Sequence, residues 1–433
     1  YSVNVYDGYD GSDAATRTQT DGNFEVTQGK LECKALSYVH NDATDNATIS
    51  ANAASAIDDL TALSVGTFAC WTRADNFTNS GDDHWIYNLS DSTDDYFLVV
   101  HFDDASGSTA RVRAALFENG VYQWELRTAR EVSLDKWHHI AVTQNGTEPV
   151  IYIDGISSPT QTFLNSTDKT AWWDDLHGIG ADRNMMGGGF HYNNGAHVYE
   201  PDGDFKDFRF YDYALSADQM SSLYSGSYNV TPMHWIKCDE GSGTLADSGT
   251  DTAWTVTNTS LTYVNGTLDL DGTLTISEFG TLSAPRGDLD LAGHFTMSHD
   301  TSTYTHNNGT FKPSANCELL PADTDSSENE RHIFYDVAHT GGTLYLERPC
   351  KIQGTYTKSG GTLKHYAKVT FGTDTARGNM TINSGQWSMY GYYHDPILYG
   401  ANQLFPVNIG GSVSDPIEWD NVDQRPTLEG GRN

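Results

Sequence analysis

The chain has 433 residues, 58 Asp and Glu against 25 Lys and Arg, a formal net charge of −33 and 37% hydrophobic residues. That length predicts two or three domains with sizeable cores, and the charge speaks against nucleic acid or an anionic membrane surface as a partner. No stretch is long and apolar enough for a membrane-spanning helix, and the chain opens on Tyr1 without a signal-peptide pattern, as a processed or partial product would. The five cysteines, Cys33, Cys70, Cys238, Cys317 and Cys350, are widely and irregularly spaced. They indicate neither a zinc site nor a disulfide framework, and small buried thiols are expected instead. Most of the acidic excess reads as solvated surface, with divalent-cation binding as the functional alternative.

In chain order, Asp7-Gly8, Asp10-Gly11 and Asp21-Gly22 mark turns between short strands. Strands are predicted at 67–72, 96–102, 110–117 and 121–127, separated by turns rich in Asp, Asn, Gly and Ser. A hairpin follows, with runs 137–143 and 150–153 flanking Asn145-Gly146, the strongest short hairpin signal. Both faces of 150–153 carry apolar residues, as in a strand packed within a two-layer sandwich. The one helix expected in this unit is 217–224, capped by Ser216 and plugging the sandwich end.

Trp137-His138-His139-Ile140-Ala141-Val142-Thr143, Asn145-Gly146 and Ile151-Tyr152-Ile153-Asp154-Gly155 together resemble the central hairpin of laminin-G-like domains. These belong to the concanavalin-type (concanavalin A-like lectin/glucanase) jelly rolls. Gly29-Lys30 through Ala35-Leu36-Ser37 resembles the family's opening strand, and Phe68-Ala69-Cys70-Trp71 its tryptophan-bearing strand. Asp204 through Tyr211 with Ala214-Leu215-Ser216 resembles the closing strand. The resemblance implies a jelly-roll sandwich over 1–228, on a scaffold that carries lectins, adhesion modules, hydrolases and spacers alike. It also implies Ca²⁺ where the first strand meets the closing strand, with Asp7, Asp10 and Asp207 as the corresponding positions.

Between 167 and 204 runs a Gly-rich stretch with aromatic and amide side chains, the place where a sandwich would carry a binding site. Sugar recognition needs a flat apolar face for the ring and fixed polar groups for its hydroxyls. Trp172, His191, Tyr192, Asn193, Asn194 and Tyr199 supply those types and are the candidate glycan-binding residues. The competing reading makes Trp172 or Trp173 a core anchor and the loop a subunit contact.

Residues 229–263 read as a linker: Met233 through Thr244, then Leu268-Asp269-Leu270-Asp271-Gly272, resembles the start of a second, degenerate laminin-G-like unit. From 264 to 390 short strands are punctuated by Gly-Thr-Leu at 266, 272, 280, 342 and 361. The spacings of 19 and 24 residues from Gly342 to Gly361 to Gly385 suit rungs of a parallel β-solenoid. This frame resembles Gly-Thr-rich repeats of bacteriophage tail and surface proteins and of bacterial adhesins. The segment 391–433, with Pro396, Pro406, Pro416 and Pro426, reads as an irregular cap or docking arm.

Catalytic residues are not identified. Asp202 with Asp204 and Asp269 with Asp271 read as turn or surface residues and not as a glycosidase pair. On a strand His138 and His139 point to opposite faces and cannot chelate one metal together. The expectation is therefore an all-β, non-enzymatic protein of the virion surface, extracellular, binding glycans, assembling as a homo-oligomer and docking to other virion proteins. The alternatives are a secreted bacterial adhesin with the same modules, and a polysaccharide-degrading enzyme whose sandwich is an accessory module.

Overall fold

A computed structural model of the chain describes residues 2–4, 16–19, 24–26, 29–33, 37–42, 47–76, 84–91, 95–106, 108–158, 160–176, 183–188, 201–226, 230–321, 332–346, 350–365, 369–371, 379–382, 386–389, 397–398, 407–409 and 418–419. The protein is all-β, a concanavalin-like sandwich and a parallel β-solenoid. Two compact units result, one centred on 37–264 and the other formed by 1–6 and 15–36 together with 265–433. In sequence the sandwich is thus an insertion between two rungs of the solenoid.

In the sandwich, two antiparallel sheets face each other. The closing-strand sheet runs, edge to edge, Ile156–Ser157, Pro149–Ile153, His138–Gln144, Gly66–Asn76, Asp202–Tyr211, Tyr38–Asp42 and Thr262–Val264, with His234–Ile236 also paired to Asp202–Tyr211. The other sheet, the hairpin sheet after its own hairpin of Thr109–Glu118 and Val121–Ser133, runs Gln161–Ser166, Val121–Ser133, Thr109–Glu118, Tyr96–Ser106, His84–Ser90, Arg183–Met186, Thr48–Ser50 and Thr257–Thr259. Strand alternation sends Phe68, Cys70, Ile140, Val142, Phe208 and Phe210 from one sheet and Leu98, Val100, Ala114, Leu116 and Leu126 from the other into one shared core. The opposite side of Gly66–Asn76 and its neighbours is also apolar. Ala69, Ala141 and Tyr152 pack there under Met220 and Leu223 of the helix Ala217–Tyr224. The helix therefore covers a sheet face and does not plug an end. Its predicted cap is a full capping box: the Gln219 backbone N–H donates to Ser216 Oγ at 3.3 Å and the Ser216 N–H to Gln219 Oε1 at 2.9 Å.

Two expectations about boundaries change. Gly29–Glu32 does not open the sandwich; it pairs in parallel with Ser2–Asn4 and Gly280–Ser283, placing buried Leu31 in register with buried Leu282 inside the solenoid. The sandwich begins instead at Tyr38–Asp42. The expected linker 229–263 is part of the sandwich, because His234–Ile236, Thr257–Thr259 and Thr262–Val264 extend its sheets and Ile236 and Trp254 enter its core. His234 is stacked on Trp254 at 3.7 Å and bonded to Asp247 at 2.7 Å, which fixes this segment in place.

The solenoid has three sides. Two are eight-stranded parallel sheets, starting at Thr16–Gln19 and Phe24–Val26, and the third is made of two four-stranded pieces. Within each strand alternate residues point inward, giving ladders such as Leu268, Leu289, Phe311, Val337 and Tyr356 in register. Leu344 pairs in register with Leu363, and Leu363 with Trp387, so the spacings of 19 and 24 residues are single rungs. Gly342 and Gly361 adopt φ of +61° and +64°, the left-handed turn expected of them. Gly-Thr-Leu itself marks strand starts on all three sides, at Thr267–Leu270, Leu274–Ile276 and Gly280–Ser283, and not one corner of the rung. Of the expected cap, Ile397–Leu398, Val407–Ile409 and Glu418–Trp419 continue the solenoid sheets. All five cysteines are buried, and none is in a disulfide among the described residues.

Candidate functional site

Trp172 does not line a surface. It is 0% exposed, 6.2 Å from Trp124 and nearly parallel to it, and 4.8 Å from Trp173. The chain turns inward here because Trp124 Nε1 and Gln144 Nε2 both donate to the Ala171 carbonyl, at 2.8 and 3.2 Å, while Asp175 accepts from the Trp172 N–H at 2.9 Å. The core-anchor reading holds for both tryptophans. His191, Tyr192, Asn193, Asn194 and Tyr199 lie outside the described residues, as do Asp7 and Asp10. Asp207 is buried with φ of +59° at a register shift; its carboxylate accepts from Trp235 Nε1 at 2.7 Å and from Arg209 at 3.3 Å.

The described face best suited to a ligand is the outer side of the hairpin sheet. Register places Phe97 opposite Phe117 and Phe117 opposite Tyr122, so three strands each contribute a ring to one row. Phe97 and Phe117 stack at 4.9 Å, and Tyr122 meets Phe117 edge-on at 4.8 Å. Next along the same face come Asn88, Val99, Ala115, Glu125 and Asn165, then Trp85, His101, Arg113 and Arg127. Arg113 pairs with Glu125 and lies 3.6 Å from Asp103; Asn165 Nδ2 donates to Glu125, and Arg127 is 4.0 Å from Asp103. This network holds guanidinium, carboxylate and amide groups rigid beside the rings. Two buried donors on this face, Asn88 Nδ2 and Arg113 Nε, have no hydrogen-bond acceptor among the described residues. Leaving such donors dry costs about 1–3 kcal/mol each. Both atoms are buried, so an internal water and not a surface ligand is what would satisfy them. The sequence carried a signal for this face, the unbroken apolar run 96–100, which gives Phe97 and Val99 to one side and Leu98 and Val100 to the other.

A second constellation lies where Tyr38–Asp42 meets Asp202–Tyr211, on the side of the closing-strand sheet away from the core. Asp204, opposite both His40 and Arg73, is 1% exposed, bonded to His40 Nδ1 at 2.9 Å and held by Arg73. Asp204 is therefore not the turn or surface residue expected. A register shift after Asp202 brings Asp75 beside it, and donor atoms of His40, Asp75 and Asp202 lie within 4.8 Å of one another. Gly203 permits this, because a Cβ there would collide with the Arg73 carbonyl. The donor set does not fit calcium, which takes six to eight oxygens; one imidazole and two carboxylates suit a nitrogen-preferring divalent metal.

Burial, and then the charge of Asp204, raises the Asp75 pKa to about 6. The sign follows from proton binding. The folded state holds this proton more tightly than the unfolded chain, so Asp75 lowers stability as pH rises from about 4 through 6. Asp75→Asn is expected to stabilise the sandwich by about 1 kcal/mol at pH 7.5 after solvent screening, with no gain below pH 4. Denaturant unfolding at both pH values checks it, and equal effects at the two would refute the assignment.

His138 and His139 behave as expected of packed histidines on opposite faces. His138 Nδ1 is 3.1 Å from Asp154, whereas His139 is enclosed by Trp71 and Tyr224 and burial pushes its pKa down to about 4.

No curated protein matches the chain. Among solved structures, a native heptameric SAP-like pentraxin from Limulus polyphemus is 13% identical, with 43% of this chain and 81% of that one covered and a TM-score of 0.31. A putative carbohydrate binding protein from Bacteroides ovatus is 15% identical over 53% of this chain and 59% of that one, with a TM-score of 0.37. The CBM40 of a Ruminococcus gnavus IT-sialidase, bound to α2,3-sialyllactose, is 15% identical over 44% of this chain and 98% of that one, with a TM-score of 0.35. Likeness at this level says nothing of a shared ligand. A family model described as the concanavalin A-like lectin/glucanases superfamily matches residues 41–221, the stretch that builds most of the sandwich.

Proposed function

We propose that the sandwich is a non-enzymatic glycan-binding module and that its site is the outer face of the hairpin sheet. The observation that carries this is the half-buried rings of Phe117 and Tyr122, packed on Phe97, beside the rigid Arg113–Glu125–Asn165 network. Rings cover the apolar side of a pyranose, and fixed polar groups bond its hydroxyls. Arginine and carboxylate charges on this face are matched, which favours uncharged sugars.

Hydrolysis is the weaker reading. Asp75, Asp202 and Asp204 would be its carboxylates, but Asp204 is buried and held by Arg73 and His40, so it has neither access nor free lone pairs for a sugar. Purified protein is expected to release no reducing sugar from capsular or algal polysaccharide.

The pairing of such a module with an elongated solenoid supports a display role at a virion surface, in a homo-oligomer docked to other virion proteins; a secreted bacterial adhesin is the alternative. Labelling intact particles with antibody to the sandwich separates the two.

Binding is tested on a glycan array with wild type, Tyr122→Ala and Arg127→Ala. Loss of the half-buried Tyr122 ring is expected to weaken binding roughly 10-fold, the worth of one aromatic contact. Undiminished binding by both variants, or none by wild type, removes this face from consideration.

A further inference from the structure

The third side of the solenoid carries an arrangement that neither the rung architecture nor the sandwich explains. Phe279 sits at the corner before Gly280–Ser283 with φ of +61°, a conformation bulky residues rarely adopt, and its ring is 59% exposed. Glycine or asparagine would fit that corner without strain, and the ring contributes nothing to the interior cluster that holds the rungs together. His299, on the next rung, lies 6.4 Å from it and is itself positioned by Thr301, which is 3.0 Å from both His299 Nδ1 and the Phe279 N–H. On the far corner of the same side, His306 stacks on the exposed ring of Tyr335 at 5.7 Å and bonds to Gln353 at 3.1 Å. Between the two ring pairs, Thr303 and Thr305 of the strand Thr303–Thr305 are exposed.

We propose that this side of the solenoid is a second carbohydrate-contacting surface, which takes a linear, uncharged polysaccharide. Two ring pairs, one tilted by 37° and one stacked, border a strip of hydroxyls, with an amide at one end, and this matches alternating apolar faces and hydroxyl edges along a sugar chain. Alternate residues of a strand are about 7 Å apart, so Thr303 and Thr305 are spaced on the scale of one sugar unit. Uncharged chains are favoured because Glu278 stands beside His299 and the protein carries a net charge of −33, which repels polyanions. The proposal does not rest on the hairpin-sheet site.

The test is affinity electrophoresis of the full chain in gels containing galactomannan, hydroxyethyl cellulose or dextran, with polygalacturonate as the anionic control. Wild type is expected to be retarded by at least one neutral polymer. The double variant Phe279→Asn/Tyr335→Ser is expected to lose that retardation at least fivefold, and by the same factor in a Tyr122→Ala background, where the sandwich face is already impaired. Asparagine tolerates the left-handed corner, so thermal unfolding of Phe279→Asn should be no lower than wild type and loss of fold is separable from loss of binding. Retardation only by polygalacturonate, retardation unchanged in the double variant, or none by wild type overturns the proposal. So does a concentration-dependent dimer in sedimentation that Phe279→Asn abolishes, since the surface would then be a contact between copies.

Discussion

Replacing Trp172 by alanine is expected to lower the unfolding free energy of the sandwich by about 3–5 kcal/mol, the range for emptying a large buried aromatic site. The ring is enclosed on both faces, by Trp124 and by Trp173. Nor can the surroundings collapse into the gap. Gly66 already lies so close beneath the tryptophan pair that an added Cβ would be 2.6 Å from Trp173 and 3.0 Å from Trp172 Nε1, and the Ala171 carbonyl is tied by two donors. Chemical denaturation followed by tryptophan fluorescence measures the loss. A change below about 1 kcal/mol, the scale of a surface substitution, would return Trp172 to the role of a surface platform.

The second large effect belongs to the solenoid. Gly361→Val is expected to unlatch the rung that contains it, because two penalties add. At φ of +64° a β-branched residue is strained, and a Cβ would overlap backbone atoms of Gly341 and Gly342 on the neighbouring rung. The turn has a further duty: Lys358, buried in the rung interior, donates to the Gly360 and Gly361 carbonyls at 2.7 and 2.6 Å, and burial pushes its pKa down to about 8. Moving the turn strips a buried amine of its acceptors. His339, in register with Lys358 and bonded to Tyr356 and the Gly341 carbonyl, would lose its packing with it. Hydrogen exchange should show the strands Thr343–Leu346, Thr355–Lys358 and Thr362–His365 losing protection by at least 100-fold, about 3 kcal/mol, with the sandwich strands unchanged. Protection within threefold of wild type would contradict this reading of the turn.

Much of the fold was legible because it is written in local signals. The Asn145-Gly146 hairpin, the alternating strands and the 19- and 24-residue rungs all follow from chemistry within a few dozen residues. Partners distant in sequence were not legible. Gly29–Glu32 looks like a sandwich strand by composition, yet its neighbour is Gly280–Ser283, about 250 residues on. No local pattern marks that the chain leaves the solenoid after one rung and returns to it. The same limit hid the ring row, since Phe97, Phe117 and Tyr122 share a face only once three strands are in register and a bulge between Leu116 and Phe117 has been counted. Asp204 was misread because turn-like neighbours suggested exposure, whereas its real environment is set by Arg73 and His40 on flanking strands. Trp172 shows the opposite error: a Gly-rich, aromatic stretch suggested a surface, and cross-strand hydrogen bonds to Ala171 turned it inward.

The most direct measurement of the central claim is hydrogen–deuterium exchange on the full chain with and without a saturating neutral glycan chosen from the array. Binding on the outer face of the hairpin sheet predicts slowed exchange in peptides from Tyr96–Ser106, Thr109–Glu118 and Val121–Ser133. Slowing confined to residues 189–200, or no change anywhere in the sandwich, would contradict it.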